Sequence, residues 1–229
     1  MSFNFSPKIV TNGLIHYFDV ANVNSYISGS TTWYDISRTN VNGAIFNNPT
    51  YTTENSGGLI FNGSNDYVSL GTNQNYYFNL TKPYTISIWF ESNVLATMGL
   101  ITRYNGGVRG NYFLKFLVNG AIMFNREVSP FNLFSNSILS LNKVYNVTIV
   151  YDGTLQKIYI NGVLDNQQAS GNIVQNQSNI NLYIGASQLF GNPTEFFNGT
   201  IYNTMIYNIG LTSNQILQNY NTLKTRFGL

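Results

Sequence analysis

The segment VYNVTIVYDGTLQKIYINGVLDN (residues 144–166) decides the fold class of this chain. Apolar and polar side chains alternate along it, which is the period-two pattern of strands that bury one face. Asp152-Gly153 and Asn161-Gly162 interrupt the alternation, and both dipeptides favour two-residue hairpin turns because their residues accept positive φ angles. The segment therefore predicts three consecutive antiparallel strands.

The same pattern recurs over most of the chain. FLKFLVNGAIMFNR (113–126) predicts a hairpin that turns at Asn119-Gly120, and YTISIWFESN (84–93) predicts a strand inside a sheet because both of its faces are partly apolar. Further strands are expected at residues 13–20, 58–63, 67–71, 99–105, 180–187 and 199–208. About a dozen short strands at this spacing predict a sandwich or barrel. No linker or change of composition divides the chain, so we expect one domain.

The C-terminal residues follow a helical period. The apolar residues from Ile216 to Phe227 are spaced by four, three and four positions. Thr212 and Gln215 match a capping box, in which the two residues satisfy each other's backbone N–H groups at a helix start. We therefore expect a helix over residues 213–226, with its apolar stripe docked on the sandwich because an isolated helix of this length is marginal in water.

The composition describes a polar surface that is almost uncharged. Asp, Glu, Lys and Arg make up 9% of the 229 residues and aromatic residues 15%, while about three dozen asparagines supply polarity. The net charge of +2 comes from scattered Lys and Arg. Without a basic run, we expect no binding to nucleic acid or to an anionic membrane surface.

Several chemistries are excluded by missing residue types. The chain has no cysteine, which excludes disulfides, thiolate metal sites and a cysteine nucleophile.

Its start, MSFNFSPKIVTNG, has no apolar core like that of a signal peptide, and no stretch approaches about 18 consecutive apolar residues. We therefore expect a product made in the cytoplasm without a secretion signal.

A catalytic constellation is not apparent. The nine acidic residues are never closer than about a dozen positions, so the paired carboxylates of a glycosidase are not found on one strand. His16 is the only histidine and lies in mid-strand, where a buried, hydrogen-bonded role is expected. We predict that the protein is not an enzyme. A glycosidase built from distant acids such as Asp19, Asp66 or Glu195 stays open as an alternative.

Asp66 is the candidate metal ligand. With one histidine and no cysteine, zinc is disfavoured, but calcium accepts carboxylate, amide and backbone oxygens. Asp66 and Asn65 follow Gly63-Ser64 and could anchor a calcium ion at the rim of a sandwich. The alternative is a turn in which the Asp66 carboxylate accepts backbone N–H groups before the next strand.

A second candidate is the loop RYNGGVRGNYF (103–113), because sugars require aromatic faces beside polar groups. Its candidate carbohydrate ligands are Arg103, Tyr104, Arg109, Asn111 and Tyr112. The alternative is a plain flexible hairpin loop around its three glycines.

Six ordered segments, spanning residues 13–227, together resemble the laminin-G-like branch of the concanavalin A-like lectin/glucanase superfamily. They are GLIHYFDVANVNSY with TTWYDIS (13–37), FNGSNDYVSLG (61–71), YTISIWFE (84–91), VTIVYDGTLQKIYINGVLD (147–165), NLYIGAS (181–187) and FNGTIYNTMIYNIGLTSNQI (197–216). The resemblance implies an all-β fold, a two-sheet antiparallel jelly-roll sandwich with a short C-terminal helix. It departs from the family pattern at Asn62 and Asn65, where the family often has Asp, which would weaken a calcium site.

The resemblance extends to single-domain proteins of tailed phages, many of which open like SPKIVTNGLIHYFDVANVNSY. It implies a non-enzymatic virion structural protein, a capsid decoration or fibre-associated lectin-like domain, found on the virion. Residues 1–12 would form an arm that docks on capsid or fibre proteins, and residues 13–229 the jelly-roll domain. Cell-surface glycans are the expected ligand, and a homo-oligomer is open. The alternative is a free lectin with a weak calcium site; no other cofactor is expected.

Overall fold

The computed structural model describes residues 8–78, 82–105, 112–171, 179–189 and 192–229. In chain order its strands are β1 (Leu14–Asp19), β2 (Thr32–Trp33), β3 (Gly43–Phe46), β4 (Thr50–Thr52), β5 (Gly58–Asn62), β6 (Tyr67–Ser69), β7 (Tyr84–Ser92), β8 (Met98–Arg103), β9 (Tyr112–Phe116), β10 (Ile122–Asn125), β11 (Asn132–Phe134), β12 (Val144–Tyr151), β13 (Leu155–Ile160), β14 (Val163–Ala169), β15 (Tyr183–Ile184), β16 (Ser187–Leu189), β17 (Asn192–Thr194) and β18 (Asn198–Tyr207). An α-helix, α1 (Ser213–Leu223), follows them. Short 3₁₀ turns span Glu54–Ser56, Gln74–Tyr76 and Lys224–Phe227.

Two large antiparallel sheets form the sandwich. The first has the order β14-β13-β12-β7-β18-β5-β4, with β1 also paired to β18, and the second has the order β11-β10-β9-β8-β15-β6-β3-β2. The hairpin β16-β17 forms a small sheet of its own. This architecture confirms the predicted all-β, two-sheet jelly-roll sandwich.

The predicted hairpins occur where the turn dipeptides stand. β12, β13 and β14 pair in sequence order across Asp152-Gly153 and Asn161-Gly162, and the second turn uses φ angles of +51° and +78°. β9 and β10 pair across Asn119-Gly120. Positive φ at both turn residues gives the twist that flanking strands require. Local turn chemistry thus sets the order of three neighbouring strands in the first sheet and of two in the second.

Strand β7 is covered on both faces, as its sequence predicts. Ile86, Ile88 and Phe90 belong to the main core between the sheets. Trp89, on the opposite face, is fully buried, and its ring stacks on Tyr220 and Phe227 at centroid distances of 5.5 and 4.4 Å. The C-terminal segment therefore covers the outer face of the first sheet.

The helix starts at the predicted capping box. Oγ1 of Thr212 accepts the Gln215 N–H at 3.3 Å, and the Thr212 N–H donates to Oε1 of Gln215 at 2.9 Å. The chain is α-helical to Leu223 and 3₁₀ to Phe227, close to the predicted end at residue 226. No helix within the described residues is long and apolar enough to cross a membrane.

The described part of the predicted N-terminal arm packs against this helix. The Val10 N–H donates to Oδ1 of Asn219 at 2.8 Å, and the Tyr207 hydroxyl donates to the Val10 carbonyl at 3.0 Å. Val10 is 8% exposed and joins a second apolar cluster under the helix. Residues 8–12 are thus in contact with the domain, and residues 1–7 lie outside the described residues.

Candidate functional site

The predicted calcium loop is a tight turn organised by an amide. Oδ1 of Asn62 accepts the backbone N–H groups of Ser64, Asn65 and Asp66 at 2.8, 3.1 and 3.4 Å. Nδ2 of Asn62 donates to Oδ1 of Asn65 at 2.8 Å. Gly63 takes a φ of +74°, which lets the chain reverse. Asparagine suits this position because its side chain both accepts and donates.

Asp66 caps the turn from its buried end. Its side chain is buried, and Oδ2 accepts the backbone N–H of Asn62 at 2.9 Å. Oδ1 is also buried and has no hydrogen-bond partner among the described residues. Burial raises the pKa of the Asp66 carboxyl, because the charged form loses its water shell. This is the turn-capping geometry that stood as the alternative to a metal ligand.

The oxygens of this loop fit calcium poorly. Calcium takes six to eight oxygen ligands. The amide oxygens of Asn62 and Asn65 already accept N–H groups. The carboxylate of Asp66 is then the one charged side-chain ligand that this loop could offer to calcium. Within the ranges that the structure describes, no group of three or more His, Cys, Asp or Glu could hold a metal ion. Calcium at Asp66 and Asn65 stays a prediction, and a chelator tests it.

Two aromatic rings stand directly beside this turn. Phe46, the last residue of β3, is the register partner of Tyr67, the first residue of β6. Their rings are stacked, with centroids 4.6 Å apart and planes inclined by 3°. Nδ2 of Asn47 donates to the Asn65 carbonyl at 2.6 Å, which ties the ring pair to the amide turn. We call Phe46, Tyr67 and residues 62–66 the aromatic corner.

The aromatic corner faces solvent on the outer side of the second sheet. Val68 is fully buried in the core, and side chains alternate along a strand, so its neighbour Tyr67 and the paired Phe46 point outward. β2 pairs with β3 at Gly43 and Ala44, and among the described residues no strand pairs with β3 beside Phe46 on that side. Phe46 is accordingly 41% exposed. An accessible ring beside several exposed amides is the combination that a sugar requires.

The fold divides the predicted loop of residues 103–113 between two environments. Tyr112 is 1% exposed, and its ring packs in the core against Phe78 and Tyr84 at centroid distances of 5.6 and 5.4 Å. Arg103 is also 1% exposed, and its guanidinium carbon lies 4.0 Å from the centroid of the Tyr77 ring. These two side chains therefore face the sandwich interior and its rim.

The remaining members of that loop lie elsewhere. Tyr104 is half-buried and meets Phe113 edge to face at 5.1 Å. Arg109 and Asn111 lie outside the described residues. A carbohydrate site at this loop stays a prediction, but its two buried members would have to act through their neighbours and not by direct exposure.

The acids of the glycosidase alternative are held separately. Asp19 forms an ion pair with Arg226, with 2.7 Å between Oδ1 and Nη1. Glu195 forms an ion pair with Lys115, with 2.6 Å between Oε2 and Nζ. Asp66 caps the turn described above. Each of the three carboxylates thus has a structural partner of its own.

Phe46 and Tyr77 are candidate functional residues that sequence reasoning did not single out. β3 has only four residues, so its alternation is too short to be recognised. The partner of Phe46 is 21 positions away, and no local signal links the two. The run of asparagines around residues 47–48 and 62–65 is the one sequence signal that could have marked the aromatic corner.

The chain thus combines a two-sheet jelly-roll sandwich with an accessible aromatic ring beside exposed amides. A family model described as the concanavalin A-like lectin/glucanases superfamily matches residues 62–217. The chain therefore belongs to this superfamily. A search of curated protein sequences found no match.

Several solved structures share the fold. The binding domain of Paraclostridial Mosquitocidal Protein 1 is 15% identical, with a TM-score of 0.70 over 91% of this chain and 52% of that one. Trypanosoma rangeli sialidase in complex with sialic acid is 19% identical, with a TM-score of 0.68 over 93% and 33%. The receptor binding domain of botulinum neurotoxin C/D mosaic serotype is 16% identical, with a TM-score of 0.69 over 92% and 51%. This chain thus spans a third to a half of each of them.

Proposed function

We propose that this protein is a non-enzymatic, lectin-like module that binds carbohydrate at the aromatic corner. The observation that carries the proposal is the accessible Phe46 ring, stacked on Tyr67 and tied to an amide-rich turn. The ring can contact the apolar C–H face of a sugar, and the exposed amides can bind its hydroxyl groups. Two similar folds come from proteins described as a receptor binding domain and as a sialidase with sialic acid, which agrees with this class of ligand.

A glycan array tests the site directly. Phe46→Ala should lower binding to the array's best ligand by about tenfold or more, equivalent to about 1.4 kcal/mol. Phe131→Ala is the matched control, because Phe131 is 49% exposed and directly precedes β11, the strand at the other edge of the second sheet. Equal binding by both variants and the parent protein would remove the aromatic corner from the proposal.

The absence of catalysis is part of the proposal. Its support is that Asp19 and Glu195 are ion-paired and Asp66 caps a turn. We expect no release of reducing sugar from any polysaccharide that the protein binds. Release that is lost on changing one of these three acids to its amide would establish the glycosidase alternative instead.

Calcium is not required in this proposal. The amide oxygens of the turn accept N–H groups and Asp66 supplies a single carboxylate, so we expect glycan binding to be the same with and without chelator. Binding that disappears with chelator and returns with added calcium would support the alternative, a free lectin with calcium at Asp66 and Asn65.

We further propose that the module works on a tailed-phage particle, bound to capsid or fibre proteins. The observation that favours this setting is the opening SPKIVTNGLIHYFDVANVNSY, which resembles that of single-domain phage proteins. Co-purification with intact virions, and labelling of the particle surface by an antibody, are the expected results. A gene neighbourhood without capsid or tail genes would contradict the setting while leaving the carbohydrate proposal intact.

A further inference from the structure

A cleft lies at the rim of the sandwich, away from the aromatic corner. β6 runs from Tyr67 at the corner to Ser69, and the loop that follows leads to the cleft. The cleft has a volume of about 370 Å³, and its lining residues are Gln74, Asn75, Tyr77, Phe78, Lys82, Pro83 and Asn208. Three amides, two aromatic residues and one cation therefore share a single concave surface.

Tyr77 is held as a rigid wall of this cleft. Its hydroxyl donates to the Thr72 carbonyl at 2.9 Å, which fixes the direction of the ring. The guanidinium of Arg103 lies over the ring at 4.0 Å, and Arg103 is buried, so one face of the ring rests on a cation. The same ring lines the cleft and can pack against a ligand there.

The rest of the lining combines two residue types. Phe78 is buried, and its ring stacks on Tyr84 at 4.5 Å, so the floor continues into the core. Gln74, Asn75 and Asn208 are exposed and line the opening with amide groups. Amides both donate and accept hydrogen bonds, which suits ring hydroxyls.

The electrostatics of the cleft are one-sided. Lys82 is exposed in its lining, Arg103 stands behind Tyr77, and no carboxylate lines it. All nine Asp and Glu residues of the chain lie in the described ranges, so this statement covers every acidic side chain. Asp152 is the acidic residue near Pro83, because Gly210 packs against both. Its carboxylate is paired with Lys157, with 2.6 Å between Oδ2 and Nζ. The cleft therefore presents a positive potential to a ligand.

We propose that this rim cleft binds an acidic carbohydrate, with its carboxylate or sulfate group on Lys82 and its ring against Tyr77. The class of ligand rests on the proposed carbohydrate function, while the site is separate from the aromatic corner. Charge selects the acidic group, because an ammonium bound to an anion forms the stronger, charge-assisted hydrogen bonds. The amides then distinguish a sugar from other anions.

The test compares matched acidic and neutral oligosaccharides. Oligogalacturonate is paired with its methyl ester, and a sulfated glucan oligosaccharide with its unsulfated form. We expect the protein to prefer the acidic member of at least one pair by about tenfold, and the preference to shrink as salt screens the charges. No preference in either pair overturns the proposal, and polyglutamate binding as tightly as the acidic sugars overturns it as well, because charge alone would then explain the affinity.

Variants separate this site from the corner. Lys82→Gln should remove the acidic preference, and Lys82→Arg should keep it. Lys143→Gln is the matched control, because Lys143 is also exposed and precedes β12 at the other end of the sandwich. In a Phe46→Ala background, Lys82→Gln should still lower binding of the acidic oligosaccharide, because the two sites are separate. An equal preference in Lys82→Gln and Lys143→Gln would refute the role of the cleft.

Discussion

His16 makes the stability of this protein depend on pH. The imidazole is fully buried on β1; Nε2 lies 2.9 Å from Oγ1 of Thr204, and the ring packs against Phe18 with centroids 4.0 Å apart. Burial lowers the pKa of His16 from 6.5 to about 4, and the Asp35 carboxylate opposes this shift only in part. His16, expected from the sequence to be buried and hydrogen-bonded, is thus neutral in the folded protein at pH 7.

The size of the effect follows from linkage. In the unfolded chain the imidazole binds a proton near pH 6.5, and in the folded chain only near pH 4. Between these values the unfolded state binds more protons, so stability falls as pH falls through this window. The whole pKa shift corresponds to about 3 kcal/mol of unfolding free energy. About 2 kcal/mol of this is lost between pH 7 and pH 4.5.

Urea denaturation of the parent protein and of His16→Gln at both pH values measures this loss. Glutamine keeps a neutral hydrogen-bonding group opposite Thr204 but does not titrate. We expect the parent to lose about 2 kcal/mol more than the variant between pH 7 and pH 4.5. Because His16 is the only histidine, its NMR signals report its titration even if the variant folds poorly. An equal loss in both proteins, or an imidazole that titrates near pH 6.5 in the folded state, would refute the reasoning.

Two further predictions concern how the sandwich is closed. The Asp165 carboxylate of edge strand β14 accepts the Ser137 N–H at 3.1 Å and so links this strand to the loop after β11 in the other sheet. Asp165→Ala should lower the free energy of unfolding by about 1–2 kcal/mol and speed hydrogen exchange of the Ser137 amide. Unchanged exchange would contradict this link. A methyl group on Gly99 would collide with the Ala186 backbone, where the chain enters the β16-β17 hairpin. Gly99→Ala should therefore lower the urea midpoint by more than Thr102→Ser, a control on the same strand. Equal midpoints in the two variants would show that the hairpin can move away.

The features that could be predicted from the sequence are those with local causes. The Asn161-Gly162 turn needs only two residues that accept positive φ, and the helix start needs only Thr212 and Gln215. β7 was recognisable because nine consecutive strand residues carry their own pattern. The two-sheet fold then follows from many such strands and from the resemblance of six ordered segments.

The candidate sites could not be predicted because they depend on long-range register. Phe46 meets Tyr67 only because β3 pairs with β6, and β3 is four residues long. Arg103 follows the apolar residues Leu100 and Ile101 on a predicted strand, but arginine is ordinarily exposed, so the sequence does not predict its burial against the Tyr77 ring. Its partner lies 26 positions earlier and on a loop, where no periodic pattern applies.

The chain has few acidic residues, and most of their carboxylates are already held by structural partners, which limits the groups that can contact a ligand. Most of the nine carboxylates already have structural partners: Asp19 with Arg226, Asp35 with Tyr17, Ser37 and Thr39, Asp66 with Asn62, Glu91 with Tyr202, Asp152 with Lys157, Asp165 with Ser137, and Glu195 with Lys115. A carboxylate that is buried or paired in this way contributes to stability only while its partner stays in place. In the proposed function, recognition therefore depends on rings, amides and cations, and we expect ligands that carry hydroxyl and acidic groups more often than basic ones.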